Sequence, residues 1–302
     1  MRIVYSPRYH IDIGAHVFPT RKYQLVLARL LESRVITPAD VIEPLPASWE
    51  DLALVHTHEY LAKMREGTMT TDDIAELELP WSQDMVEGFR TMVGGTIETA
   101  RRAVANRSVA AHIGGGLHHA FANHGEGFCP FNDVAVAIRV LQRDGTVERA
   151  AVIDLDVHHG NGTAFIFESD PRVFTFSMHQ QHNYPMWKPK GSLDIGVADG
   201  VGDAGYLRPL EEALPKVMAS DPVCLFYLAG ADPFERDQLG GLRMTRDGLR
   251  ERDRLVLERA RAAAVPMAIV LAGGYAKSID DTVAIHVATV EEAVKAAAPD
   301  TV

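Results

Sequence analysis

The chain has 302 residues, 47% of them apolar and 24% charged, with a formal net charge of −11. This is an ordinary globular composition, with no linker-like run or internal repeat to divide it, so a single domain over 1–302 is expected. The acidic balance, with no Lys/Arg stripe interleaved with aromatics, argues against direct nucleic-acid binding and suits a cationic substrate. No segment approaches 18 uninterrupted apolar residues, the opening MRIVYSPRYH has no leader character, and Cys129 and Cys224 lack C-x-x-C spacing. A cytoplasmic protein with no membrane association and no disulfide framework follows as the expectation.

In chain order, residues 2–5 read as a strand and 20–34 as a helix with Thr20 as its N-cap. A strand near 52–55 and helices near 58–66 and 84–105 follow, then a strand at 108–113 running into three glycines. The alternation continues with a helix at 132–143, strands at 150–156, 172–178 and 222–230, a helix at 245–263, a strand at 266–274 and a helix at 278–297. Nearly continuous apolar strands between amphipathic helices predict a mostly parallel sheet covered on both faces. The stretches 67–83, 113–131 and 178–205 read as long irregular loops, which in a compact domain are usually functional.

The polar residues that call for explanation lie just beyond the C-terminal ends of successive strands. His118 and His119 follow SVAAHI; Asp154, Asp156, His158 and His159 end AAVIDLD; Asp232 follows CLFYLAG; Tyr275 follows AIVLAGG. In open α/β sheets that edge is where ligands bind. The extended backbone of DLDVHHGNG puts Asp156 and His158 on one side, and Asp232 from another strand completes a set of two carboxylates and one imidazole with an open position. A zinc ion there would polarise a carbonyl and lower the pKa of a water towards ~7.

The paired imidazoles of His118 and His119 suit general acid and base roles, with Asp154 as the orienter of one and Asn161 as the neutral partner of the other. Gly114, Gly115 and Gly116 before them permit close approach of a substrate. Tyr275 is placed to stabilise an oxyanion opposite the metal. Phe128, with Tyr184 or Trp187, can wall a narrow apolar tunnel.

GGGLHH, GFCPFND, IDLDVHHGNGT, AGADP and AGGY, in this order over nearly the whole chain, resemble the histone deacetylase superfamily. VGGTIETARRAV, HHGNG, DQLGGLRMT and AGGYAK look closest to the class IV members and their bacterial relatives. The resemblance implies a three-layer αβα arginase/deacetylase fold with a mostly parallel eight-stranded sheet, and zinc on Asp156, His158 and Asp232, ligands that Fe(II) also fits. His118 and His119 become the acid/base pair, with His119 the base, and Tyr275 the oxyanion residue. A structural potassium ion is implied at Asp154, Asp156, His158 and Ser177. Substrate-binding positions are implied at Gly116, Gly127, Phe128, Tyr184, Gly273 and, at an acidic rim, Glu78.

The implied reaction removes an acyl group, acetyl or longer, from a lysine side chain of a protein or peptide. An acylated polyamine is the alternative substrate. Asn161 stands where class I members carry an aspartate, which should leave His119 less basic. Residues 183–190 do not match a class I tunnel wall. Arginase-like enzymes of the same fold need further carboxylates where this chain has Gly160 and Gly230, and no GxGxxG follows the first strand to bind a dinucleotide. A silent acyl-lysine reader would retain the binding groups without turnover; no missing catalytic group supports it.

Overall fold

The computed structural model describes residues 1–297. Its strands, numbered along the chain, are β1 (Ile3–Val4), β2 (Val41–Ile42), β3 (Val109–His112), β4 (Ala150–Asp154), β5 (Val173–Gln180), β6 (Leu193–Val197), β7 (Cys224–Leu228) and β8 (Met267–Val270). They form one eight-stranded sheet in the order β2-β1-β3-β8-β7-β4-β5-β6, and every pairing is parallel.

The helices are α1 (Lys22–Glu32), α2 (Trp49–Leu52), α3 (His58–Glu66), α4 (Thr71–Leu77), α5 (Gln83–Asn106), α6 (Asp133–Arg143), α7 (Asn161–Phe167), α8 (Asp203–Met218), α9 (Arg246–Ala262) and α10 (Ile279–Ala297). One layer runs α1, α10, α9, α8, each packed on the next, and the other runs α5, α6, α7. Both α5 and α10 pack on β3, so the sheet is sandwiched. This is why β4, β7 and β8 are wholly buried and apolar up to the Asp154 that ends β4: a parallel strand covered on both faces has no solvent side to mark with polar residues.

The four strands that carry the candidate site, β3, β8, β7 and β4, are immediate neighbours at the centre of the sheet. Their C-terminal ends therefore open onto one place. No helix among the described residues is long and apolar enough to cross a membrane, and Cys129 and Cys224 are buried free thiols.

Several expectations need correction. Residues 52–55 are not a strand: Ser48 caps α2 by accepting from Asp51 N, and the chain then turns, while the second strand is the two-residue β2. Thr20 does not cap α1; its hydroxyl donates to Ile11 O at 2.8 Å, and the helix starts at Lys22 behind Arg21. The stretch 67–83 contains α4, whose capping box of Thr70 and Asp73 is the signal that marks it. The stretch 178–205 contains the edge strand β6, with its alternating exposure, and the first turn of α8. Pro209 and Pro215 inside α8 disguise the rest of that helix in the sequence.

Candidate active site

Beyond β4 the chain presents Asp156 and His158, and beyond β7 it presents Asp232, all three buried and with ligand atoms within 4.8 Å of one another. Asp156 Oδ2 accepts from Gly273 N at 2.8 Å, and Asp232 Oδ1 accepts from Val157 N at 2.9 Å. Asp232 Oδ2 is buried without a hydrogen-bond partner, 3.5 Å from His158 Nδ1. An orphaned carboxylate oxygen facing an imidazole nitrogen and a second carboxylate is what a divalent cation would satisfy, and the donor set fits zinc or Fe(II).

Protons do this work otherwise. Burial resists a charge on His158, but Asp156 and Asp232 outweigh it and hold the imidazole up at about 10. Burial, then repulsion from Asp156, pushes Asp232 up to about 7. A cation bound here would displace that proton and pair both carboxylates.

Beside this trio the two histidines of the β3 loop meet, His118 Nε2 to His119 Nε2 at 3.1 Å. His118 Nδ1 lies 2.7 Å from Asp154 Oδ2, and His119 Nδ1 lies 2.7 Å from Asn161 Oδ1. Burial opposes charge on His118, yet Asp154 and Asp156 prevail and raise it to about 9. Burial, then the neighbouring His118 and His158, hold His119 well below the ordinary imidazole range. The pair is thus split into a proton holder and a neutral acceptor.

The loop that aims them depends on Asp133 at the start of α6. Its carboxylate accepts from Gly116 N at 3.1 Å, Leu117 N at 2.7 Å and the Thr96 hydroxyl at 2.5 Å. Gly116 sits at φ +83°, and a Cβ there would meet Ala272 Cα at 2.6 Å, so only glycine permits this path.

Tyr275 lies opposite, on the loop after β8. Asp237 fixes that loop, accepting from Tyr275 N at 2.7 Å, Leu239 N at 2.8 Å and Gly240 N at 3.0 Å. Burial, then Asp156 and Asp232, keep the phenol well above its ordinary pKa, so it is a hydrogen-bond donor at neutral pH.

Access is through a cleft of about 190 Å³ lined by residues that include Glu78, Phe128, Tyr184, Leu239 and Tyr275, with His119 and His158 at its floor. Its rim is made by α4 and a tight turn. Cys129 N donates to Glu126 O at 2.9 Å, with φ of +52° at Gly127 and +66° at Phe128, the two positive values of a type I′ turn. Phe128 N donates to Leu77 O at 3.0 Å, tying the turn to the end of α4, where Glu78 sits at φ +58°. A bulky residue at positive φ is strained, and Phe128 is held there by stacking on Phe18, 6.2 Å between centroids at 10°.

The structure therefore brings together Asp154, Asp156, His158, Asp232, His118, His119, Asn161 and Tyr275. Gly127, Phe128, Tyr184 and Glu78 line the cleft, and Gly116 and Gly273 line the smaller space beneath it. Trp187 does not join them: it lies on the surface against Phe121 and Phe165. Ser177 is the register partner of Asp154 on β5, with its hydroxyl 3.0 Å from His179 Nδ1. The two Asp154 oxygens accept from Asp156 N at 3.2 Å and meet His118 Nδ1 at 2.7 Å. A Cβ at Gly160 would meet Asp154 Oδ2 at 2.3 Å, and one at Gly230 would meet Asp156 Cα at 2.7 Å, so side chains for a second metal do not fit.

Sequence reasoning does not single out Asp133, Asp237, Glu126, Arg252 and Lys22, each of which has a partner at the site that lies 16 or more positions away. Arg252 is wholly buried on α9 and donates to Gly230 O at 2.6 Å and Leu155 O at 3.3 Å, just before two of the candidate ligands. Lys22 is buried on α1, its Nζ donating to Ala272 O at 2.8 Å and 5.6 Å from the centroid of the Tyr275 ring.

Residues 16–290 match the family model described as histone deacetylase domain. An uncharacterized protein of Picosynechococcus sp. is 44% identical over 286 residues, 94% of this chain and 95% of that protein. Histone deacetylase 2 of Arabidopsis thaliana is 33% identical over 291 residues, covering 91% of this chain and 75% of its own. The crystal structure of an HDAC homolog complexed with SAHA is similar with a TM-score of 0.80 at 25% identity, over 91% of this chain and 79% of that one.

Proposed function

This chain belongs to the histone deacetylase family, and we propose that it is a metal-dependent hydrolase that removes an acyl group from a lysine side-chain amine. The observation that carries the reading is the buried, unpartnered Asp232 Oδ2, facing His158 and Asp156 beside a carboxylate-backed histidine pair at the floor of an aromatic cleft. Asp156, His158 and Asp232 would hold zinc, or Fe(II), and the ion would polarise the scissile carbonyl and acidify the attacking water.

The chain's own residues do the rest. Phe128 and Tyr184 line the cleft that takes the acyl-lysine arm, and Glu78 at its mouth offers a carboxylate to the substrate's backbone or to a second amine. His119, held neutral, accepts the proton of the water that attacks the carbonyl carbon. Tyr275, held protonated, donates to the oxygen that becomes anionic. As the C–N bond breaks, the histidine pair returns a proton to the departing amine. Water and amide thus become a carboxylate and a protonated amine.

The motifs resemble the class IV branch of the family, and a cytoplasmic setting remains part of this reading. The implied potassium ion takes no step in it. The test is turnover of purified, zinc-loaded protein on acetyl-, octanoyl- and myristoyl-lysine peptides plus acetylputrescine and acetylspermidine, with metal content measured alongside. Turnover of a lysine peptide supports the reading. Turnover of an acetylpolyamine alone reassigns the substrate, and binding without turnover by fully loaded protein makes it a reader.

A further inference from the structure

Asn161 is a neutral partner for His119, but it is not the end of the chain of contacts. Asn161 Nδ2 donates to Glu126 Oε1 at 2.7 Å, and the Tyr184 hydroxyl donates to the same oxygen at 2.7 Å. The line Asp154–His118–His119–Asn161–Glu126 therefore begins and ends on a carboxylate, with successive separations of 2.7, 3.1, 2.7 and 2.7 Å.

Those two ends set the proton on each Nδ1 and the orientation of the amide between them. A carboxylate only accepts, so the Glu126 oxygen takes the amide NH2 of Asn161 and the amide oxygen must face His119. His119 Nδ1 must then carry the proton and donate it. That leaves His119 Nε2 with the lone pair a base needs, while at the other end His118 Nδ1 donates to Asp154. Take Glu126 away and the Asn161 amide can turn over. It would then offer NH2 to Nδ1, move the proton to Nε2, and put a donor where the base needs a lone pair.

Building on the hydrolase reading above, we propose that Glu126 is a positioning residue that acts through Asn161 to hold His119 in the tautomer that can accept a proton. The surroundings suit that role. The side chain is 15% exposed, its second oxygen faces His124 Nε2 at 3.6 Å, and its backbone is fixed by the turn that also carries Phe128. One oxygen thus sets the base and, through Tyr184, whose ring meets His119 edge-on at 5.0 Å, the adjacent cleft wall.

The experiment pairs imidazole 15N NMR of histidine-labelled protein with steady-state kinetics. Wild type is expected to show His119 protonated at Nδ1, Glu126→Ala a mixture of the two tautomers, and Glu126→Gln, which keeps an acceptor oxygen, the wild-type pattern. On the substrate panel, Glu126→Ala should lower kcat by about 10- to 100-fold at unchanged metal content, the scale of a lost outer-shell partner. Glu126→Gln should restore most of it, and Glu126→Ala should add no further loss to Asn161→Ala.

An unchanged His119 tautomer in Glu126→Ala overturns the proposal. So does a full-sized loss in the Asn161→Ala background, or a loss confined to KM and reproduced by Tyr184→Phe, which would make Glu126 a prop for the cleft wall. The NMR readout needs no substrate. Silence across the panel would therefore count against the hydrolase reading alone.

Discussion

The Arg252 guanidinium donates to the carbonyl of Gly230 at 2.6 Å, which ties a helix on one face of the sheet to the loop that presents Asp232. The same Nη1 reaches Leu155 O at 3.3 Å, and Nη2 pairs with Asp253 at 2.7 Å, all without solvent contact. Arg252→Met should leave Asp253 and both carbonyls short of a partner, at about 3–5 kcal/mol, the scale of a broken buried pair. Denaturant unfolding checks the stability loss, and metal retention on dialysis checks the second effect, a weaker site. A variant as stable and as metal-rich as wild type would refute this role.

Tyr275→Phe removes a hydroxyl and leaves the candidate metal ligands untouched. Turnover should fall by ~10²-fold or more, as for a lost oxyanion donor, with metal content unchanged. Near wild-type kcat on any substrate found for the enzyme would take Tyr275 out of the chemistry.

Gly273→Ala places a methyl group where none fits: a Cβ there would lie 1.9 Å from Asp232 Oδ2 and 2.4 Å from Asp156 Oδ2. The loop must shift, and with it the Gly273 N–H that orients Asp156. Metal occupancy and turnover are expected to collapse together while far-UV circular dichroism stays native. Full occupancy in the purified variant would show that the loop has more room than its geometry suggests.

Acid should weaken the fold well before ordinary exposed carboxylates titrate. Burial holds His56 down to about 4 and His112 down to about 3, from an ordinary 6.5. Both act as neutral links: His56 between Phe121 O and Asn132 N, His112 between Thr96 and Tyr9. Because their folded pKa values are depressed, the unfolded chain takes up protons first. Their contribution is complete above about pH 6.5 and is lost as pH falls towards 4, at roughly 2 kcal/mol each by pH 5. Unfolding free energy measured between pH 7 and pH 5 should drop accordingly; a flat profile would contradict it.

Lys22 points the other way. Burial lowers its ammonium to about 8 against the pull of Asp232 and Asp156. Below that pH the folded protein carries a poorly solvated charge, so Lys22→Met should be more stable at pH 7, by roughly 3 kcal/mol less the cost of leaving Ala272 O without its donor. The difference should shrink as pH rises from 8 towards 10.5, the unfolded value. Thermal melts at pH 7 and pH 10 would reveal either trend.

The candidate ligands and both histidines were legible in the sequence because each lies within a few residues of a strand end, and apolar parallel strands announce themselves. Asp156 and His158 are two residues apart, but β4 ends at Asp154 and the chain bends through 156–158, so they meet through a turn in which Asp156 Oδ1 accepts from His158 N at 2.9 Å and not by the alternation of an extended strand. The supports were not legible. Glu126 meets Asn161 across 35 positions, Arg252 meets Gly230 across 22, and nothing local distinguishes either from a surface charge. Among the elements, α8 was hidden by two prolines and β6 by its half-exposed edge position. The apolar run at 53–55 covers a half-buried turn and imitates a strand.

The place of β8 bears on how the molecule comes into being. It is the last strand of the described chain, yet it lies between β3 and β7 and is the sole link between β2-β1-β3 and β7-β4-β5-β6. Until Met267–Val270 has emerged from the ribosome, the nascent protein holds two half-sheets, each with an unpaired apolar edge open to aggregation. The histidine pair belongs to one half and the three candidate ligands to the other. Catalytic competence should therefore appear late and in a single step, with the insertion of this keystone strand, and growing chains should depend on chaperones until then.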